Sequence, residues 1–328
     1  MKKIALLLFA TSMLVSCSDD IDIIGPYEET AVVYSLLNAN DSTQSIRINK
    51  AFLGEGDALL MAANPDSNYF DTLQVSLIRV KNNVALDTIP FLKTLAQPKD
   101  SGLFASQPNY LYKNPVPFAI DKEATYTMHI FNPKTAKTFS SSTNIVKEIK
   151  VQAPSQNPSI KIPLRENSPY NVRFETAING KEYNLTIRFS YEEQDIPSGS
   201  FTNHSIDWVF NNFTVIDDQV SELRTVLVDA NAFYKFVASK VAANQNKTRE
   251  VGKLDFIFTA AHPTLYTFLQ VNQPSLTITN HIPVFSNIDN GVGMFSSRLI
   301  HTVFQKELDP VALDSLRFGR FTKDLNFL

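Results

Sequence analysis

Period-two alternation is the feature that most limits what this chain can fold into. The stretch "ATYTMHIFN" sets Tyr126, Met128 and Ile130 against Thr125, Thr127 and His129, so an extended backbone would bury one face and solvate the other. "TAVVYSLL" and "QSIRINKAFL" flank the loop "NANDST", and "TLQVSLIRV" and "VALDTIPF" flank Lys81, Asn82 and Asn83. Both arrangements read as hairpins, because Asn, Asp and Ser supply turn geometry between β-rich runs.

Further short runs, "GLFASQPNYLY" and "KTFSSSTNIVKEIKVQ", bring the first half to roughly seven strands, the size of an immunoglobulin-like β-sandwich. That domain is expected over residues 30–153. Residues 154–169 hold Pro154, Pro158, Pro163 and Pro169 and read as an extended join. The second domain, 170–328, opens with strands around Asn179 and Gly180, a type I′ hairpin signal, and "SIDWVFNNFTVID" reads as a further strand pair. Helices enter at "DANAFYKFVASKVAA", where Asp229 is placed to cap a stripe through Phe233 and Val237, and at "HPTLYTFLQVN", where Pro263 suits a first turn. The fold class is therefore mainly β: an immunoglobulin-like sandwich followed by a β-rich α+β domain.

What closes such a core is burial alone. The chain of 328 residues has one cysteine, Cys17, so no internal disulfide can form, but 44% of its residues are hydrophobic and 24 are Phe. The cysteine follows Lys2, Lys3 and an apolar run from Ile4 to Val15, the anatomy of an export signal and too short for the roughly 20 residues of a membrane span. Leu14, Val15 and Ser16 before Cys17 resemble a bacterial lipobox, which implies cleavage after residue 16 and a lipid on the Cys17 sulfur. An ordinary secretory signal with an incidental cysteine is the alternative. Residues 17–29, with Gly25 and Pro26, then form a tether. Ser18, Asp19 and Asp20 resemble the surface-export signal of Bacteroidetes lipoproteins, implying the outer membrane and its outer face; taken alone they are the start of a solvated linker.

Removal of residues 1–16 takes away two of 30 basic residues and none of 33 acids, leaving a net charge of −5. Nothing in that balance recommends a nucleic-acid partner, which would need a basic face, and none is expected. Catalytic signals are equally thin. His129, His204, His262, His281 and His301 are scattered without metal-ligand spacing, and there is no G-x-S-x-G, HExxH or phosphate loop. No catalytic residue, metal or cofactor is assigned. Acidic clusters at Glu192, Glu193 and Asp195 and at Asp217 and Asp218 leave open an envelope hydrolase, whose chemistry would require two carboxyls held a few ångströms apart. Trp208, Tyr110 and Tyr112 leave open a surface module that stacks on glycans or anchors a peptide, against the default of core packing.

A family likeness adds to this. The lipobox, "AVVYSLL", "YTMHI", "NGKEYNLTIRF" and above all "PVFSNIDNGVGMFSS" resemble the DUF4249 lipoproteins of Bacteroidetes, a family of unknown function. Ser286, Asn287, Ile288, Asn290, Gly291, Gly293 and Phe295 match its "SNIxNGxGxF" signature, while the loop "GEGDALLMAANPDSNYF" is longer than the family pattern. The likeness implies a cell-envelope lipoprotein beside a TonB-dependent outer-membrane barrel, and with the thin catalytic signals the expectation is a non-enzymatic accessory or binding component. On physical grounds the glycines at 291 and 293 permit a sharp turn, or close backbone approach to a ligand or partner.

Overall fold

The structure is a computed structural model that describes residues 29–51, 57–210, 212–273 and 285–328. Cys17, the tether up to residue 28 and His281 lie outside them.

The first half builds β1 (Ala31–Asn38), β2 (Ser45–Lys50), two short helices α1 (Ala58–Ala63) and α2 (Pro65–Asn68), then β3 (Gln74–Lys81), β4 (Val84–Leu95), β5 (Tyr110–Lys113), β6 (Thr125–Asn132), β7 (Lys137–Asn144) and β8 (Lys150–Ala153). Both hairpins form as read: β1 pairs with β2, and β3 with β4 around Asn82 and Asn83, which sit at φ 52° and 62°. Those angles are the left-handed ones that a two-residue hairpin turn demands and that asparagine tolerates. Along β6 every second residue is buried.

The second half builds β9 (Pro169–Glu175), β10 (Glu182–Asp195), β11 (Phe201–Val209), β12 (Phe213–Thr214), β13 (Leu223–Asp229), α3 (Ala230–Lys240), β14 (Lys247–Ala261), α4 (Pro263–Val271), β15 (Val292–Lys306) and α5 (Pro310–Phe318). Asp229 caps α3 by accepting from the Asn231 amide, and Pro263 occupies the first turn of α4. The result is a mainly β, α+β fold on a mixed sheet. Twelve strands share one sheet in the order β11-β10-β14-β15-β1-β2-β5-β4-β3-β6-β7, with β12 beside β10, and β13-β9-β8 form a second.

Two expected pairings are corrected. The strands around Asn179 and Gly180 do not form a hairpin: β9 lies in the small sheet and β10 in the large one. Only Asn179 takes a positive φ, 64°, and the Tyr183 hydroxyl ties the turn by accepting from the Ala177 amide and donating to the Ala177 carbonyl, each at 2.9 Å. That knot redirects the chain instead of doubling it back. The strands read as a pair at 205–217 are both partners of β10 and not of each other.

Two cores result. One fills the first half, with Val33, Leu37, Ile48, Leu77, Tyr126, Met128 and Phe139, and takes Ile288 and Phe295 from the far end of the chain. The other lies where β10 and β14 face the small sheet and α3, with Phe174, Phe189, Phe233 and Phe258 in edge contacts such as the 5.1 Å approach of Phe174 to Phe258.

The joint between the halves is β1 against β15, the one parallel pair among the described strands, running from Val32 opposite Val292 to Asn38 opposite Arg298. Gly293 makes it possible. Its φ is +120°, and a Cβ there would stand 2.0 Å from the Val33 carbonyl oxygen, closer than any non-bonded contact allows. Gly293→Ala is therefore expected to lower the unfolding free energy by at least about 2 kcal/mol in urea denaturation, whereas Gly102→Ala, where a Cβ meets nothing within 4 Å, stays within about 0.5 kcal/mol of the parent.

Candidate functional site

The 286–295 stretch spends its polar groups on the fold. The Asn287 side chain grips Phe295 from both sides, accepting from its amide at 2.9 Å and donating to its carbonyl at 2.7 Å. Asn290, at φ 60°, donates to Thr138 O, the Ser141 hydroxyl to Asn287 O, and the Asp289 amide to Ser140 O. The Ser286 hydroxyl accepts from the Ile288 amide, while Gly291 has no room for a Cβ beside the Ala31 carbonyl. The motif thus seals the edge of β7 and seats Phe295, fully buried, in the first core.

The aromatic candidates separate. Trp208 is half-buried against Phe210, Phe233 and Phe236, with ring centroids at 4.4, 5.9 and 5.9 Å. Tyr112 is buried, and burial pushes its hydroxyl up to about 12. Tyr110 is half-buried, edge-on to Tyr69 at 5.2 Å, with the Lys93 ammonium 4.5 Å above its ring.

The acidic clusters do not converge. Asp217 lies beside the start of β10, where Val215 and Ile216 bond Lys181. Glu192 stands ten residues along that strand from Glu182, which is about 33 Å at the usual rise. Glu193 instead turns inward beneath Arg249, whose Nη2 and Nε reach its carboxylate at 2.8 and 3.0 Å, with Lys247 as a second partner and His204 Nε2 at 3.7 Å. Burial alone would raise the Glu193 carboxyl, but hydrogen bonds from Lys247 and Arg249 outweigh it and hold it below the ordinary carboxylate range. Arg249 also donates to the carbonyls of Leu325 and Ala242, so the pair fastens the C-terminal segment to the sheet. His262, one of the scattered histidines, stands immediately before Pro263. Its Nδ1 caps α4 by accepting from the Thr264 amide at 3.2 Å, and burial pushes its pKa down to about 4, so the ring stays neutral and able to accept.

One of several openings in the described surface lies above the β1–β2 hairpin. Val33, Leu37, Ile46 and Ile48 point into the core, so the alternate residues Val32, Tyr34, Arg47 and Asn49 face outward. There they line a groove of about 610 Å³, within the span of roughly 300–1,000 Å³ usual for small-molecule sites. Leu103 and Phe104 form its wall, 69% and 55% exposed. Lys50, Lys99 and Asp100 complete the charged lining.

This wall is built by local hydrogen bonds. Asn109, buried, donates to Gln97 O and accepts from Arg47 Nη1 at 3.0 Å. Asn68, also buried, donates to the Ala62 and Asn64 carbonyls, and its own carbonyl accepts from Asn49. The Ala105 amide ties the outer loop to Ala62 O. Tyr69 and Tyr110 meet edge-to-face beside them, with Lys99 6.0 Å from the Tyr69 ring. On the far side Phe268 of α4 meets Tyr34 edge-on at 5.9 Å.

No family model matches the chain, and no curated protein does. Among solved structures, the C-terminal globular domain of an oligosaccharyltransferase from Pyrococcus abyssi is similar over 69% of this chain at 8% identity and a TM-score of 0.24. The match spans about half, 47%, of that chain's length. At that score the likeness bears on neither the fold nor the groove.

Since the Glu193 carboxyl titrates lower in the folded chain than in the unfolded one, the stability it contributes is complete above the unfolded carboxylate value and lost as pH falls through the folded one. Glu193→Gln, which leaves Arg249 buried without its counter-charge, is expected to lose about 3 kcal/mol at pH 7. Its stability should also fall less steeply than the parent's between pH 5 and 3, as followed by urea denaturation at each pH.

Proposed function

We propose that this chain is a non-enzymatic binding protein of the cell envelope, fixed to the outer membrane by lipid on Cys17 and working beside a TonB-dependent transporter. The groove over the β1–β2 hairpin carries the binding half of that reading: it joins an apolar floor to a few positioned polar groups, the usual composition of a ligand site. The anchoring half rests on the first twenty residues. Among the described residues no helix is long and apolar enough to cross a membrane, and an acyl anchor asks for none. The separation of Glu192 from Asp217 favours binding over hydrolysis, since paired-carboxylate chemistry needs the two within several ångströms.

The finer architecture belongs to the same proposal. We read residues 30–153 as an immunoglobulin-like module whose layers β1-β2-β5 and β4-β3-β6-β7 meet through the long β4 around one core. The role of the 286–295 motif in closing that module supports the resemblance to DUF4249 lipoproteins, because a signature that seals the fold would mark every member whatever it binds.

The test is detergent-phase partitioning and pull-down of the C-terminally tagged chain from native membranes, alongside Cys17→Ala. The parent should enter the detergent phase, carry a diacylglycerol-modified N-terminus by mass spectrometry and bring down an outer-membrane barrel. The variant should do none of these. An unmodified Cys17, or a parent that partitions like the variant, would refute the anchor; recovery of the lipidated chain alone would refute the transporter partner.

A further inference from the structure

The lining of the groove is uneven in a way that selects a ligand. Val32, Tyr34, Leu103 and Phe104 give an apolar trough, while Arg47, Lys50 and Lys99 stand around it against the single acid Asp100. The chain as a whole carries a net charge of −3. A local excess of cations on a net acidic protein, placed around apolar side chains, complements a molecule that is apolar along its length and anionic at one end. Arg47 is the fixed member. Its Nη1 is held on buried Asn109, its one side-chain partner among the described residues, which orients the guanidinium while leaving the rest of its donor fork for a carboxylate. A cationic or neutral amphiphile would leave these charges uncompensated in a partly desolvated site.

We infer that this groove binds a small carboxylate-headed amphiphile of the fatty-acid class, its acyl chain lying over Val32 and Tyr34 against Leu103 and Phe104 and its carboxylate on Arg47. The inference rests on the reading of the groove as a binding site and names its ligand.

The experiment is photolabelling of the full chain, purified from membranes into amphipathic polymer, with a diazirine-bearing analogue of dodecanoate, the adducts being mapped by mass spectrometry. Adducts are expected within residues 32–34 and 99–104. Excess dodecanoate should remove them, and dodecanol or dodecyltrimethylammonium should not. Arg47→Gln should cut labelling about tenfold, the loss of one charge-assisted hydrogen bond, while Arg47→Lys, which keeps the charge but not the fork, falls between Arg47→Gln and the parent and Phe104→Ser weakens labelling. The competitor comparison is made on the parent chain, so it decides the matter even if the Arg47 variants do not fold. Labelling at these residues that dodecanol displaces as well as dodecanoate does would overturn the carboxylate inference and leave the groove a binding site. Labelling confined to other residues would overturn both. A dimer by light scattering that Phe104→Ser dissolves would assign the groove to a second copy and overturn the inference as well.

Discussion

The pairing of β1 with β15 is the contact on which the rest of the molecule depends. Residue 32 meets residue 292, so the hydrophobic core of the first half is incomplete until nearly the whole chain has been placed. Parallel neighbours cannot be joined by a tight turn, and here the crossover is everything between the two strands. The entropy of closing so long a loop rises only slowly with its length, yet it must be met before the contacts it brings together can form, which places this fold among the slow ones. Local elements such as the β3–β4 hairpin and α3 can form early; the seam cannot.

The same seam explains why a motif dense in glycine and asparagine sits where it does. Close approach of β15 to β1 leaves no space for a side chain at residue 293, and the chain must turn tightly just before it. Asparagine supplies that turn and also substitutes its amide for a missing strand neighbour, as Asn287 does around Phe295. Backbone groups that would be orphaned at the edge of β7 are thereby satisfied, as buried polar groups must be.

Much of the local structure was legible because its causes are local. Alternation at Tyr126, Met128 and Ile130, paired asparagines at 82 and 83, and the cap at Asp229 each act within a few residues of themselves. The path of the sheet was not, since period-two patterns say which face is buried but not against which strand. Asn179 and Gly180 looked like a hairpin because the dipeptide fits one, and the outcome was decided by Tyr183, whose hydroxyl claims the turn. β15 was hidden for a related reason: Met294, Phe295, Ser296 and Ser297 are all buried, so it has no alternation to read. The groove had a faint signal. "AVVYSLL" is apolar on both faces, the mark of a strand covered on both sides, and Tyr34 and Val32 are the surplus that the core does not use. The cations that complete the site come from a hairpin partner and a distant loop, a grouping no spacing rule records.

The direction of β1 has a mechanical consequence. The strand begins at Ala31, immediately after the segment that leads back to the N-terminus, and runs parallel to β15, which continues towards the C-terminus. A pull that enters β1 at Ala31 and leaves β15 at Lys306, once the C-terminal segment held by Arg249 has come away, therefore draws the two strands along their length in opposite senses. The ladder is loaded in shear, its hydrogen bonds sharing the force, and does not unzip one bond at a time. The body of the protein can thus take strain through its own N-terminus without opening at the point where the strain arrives.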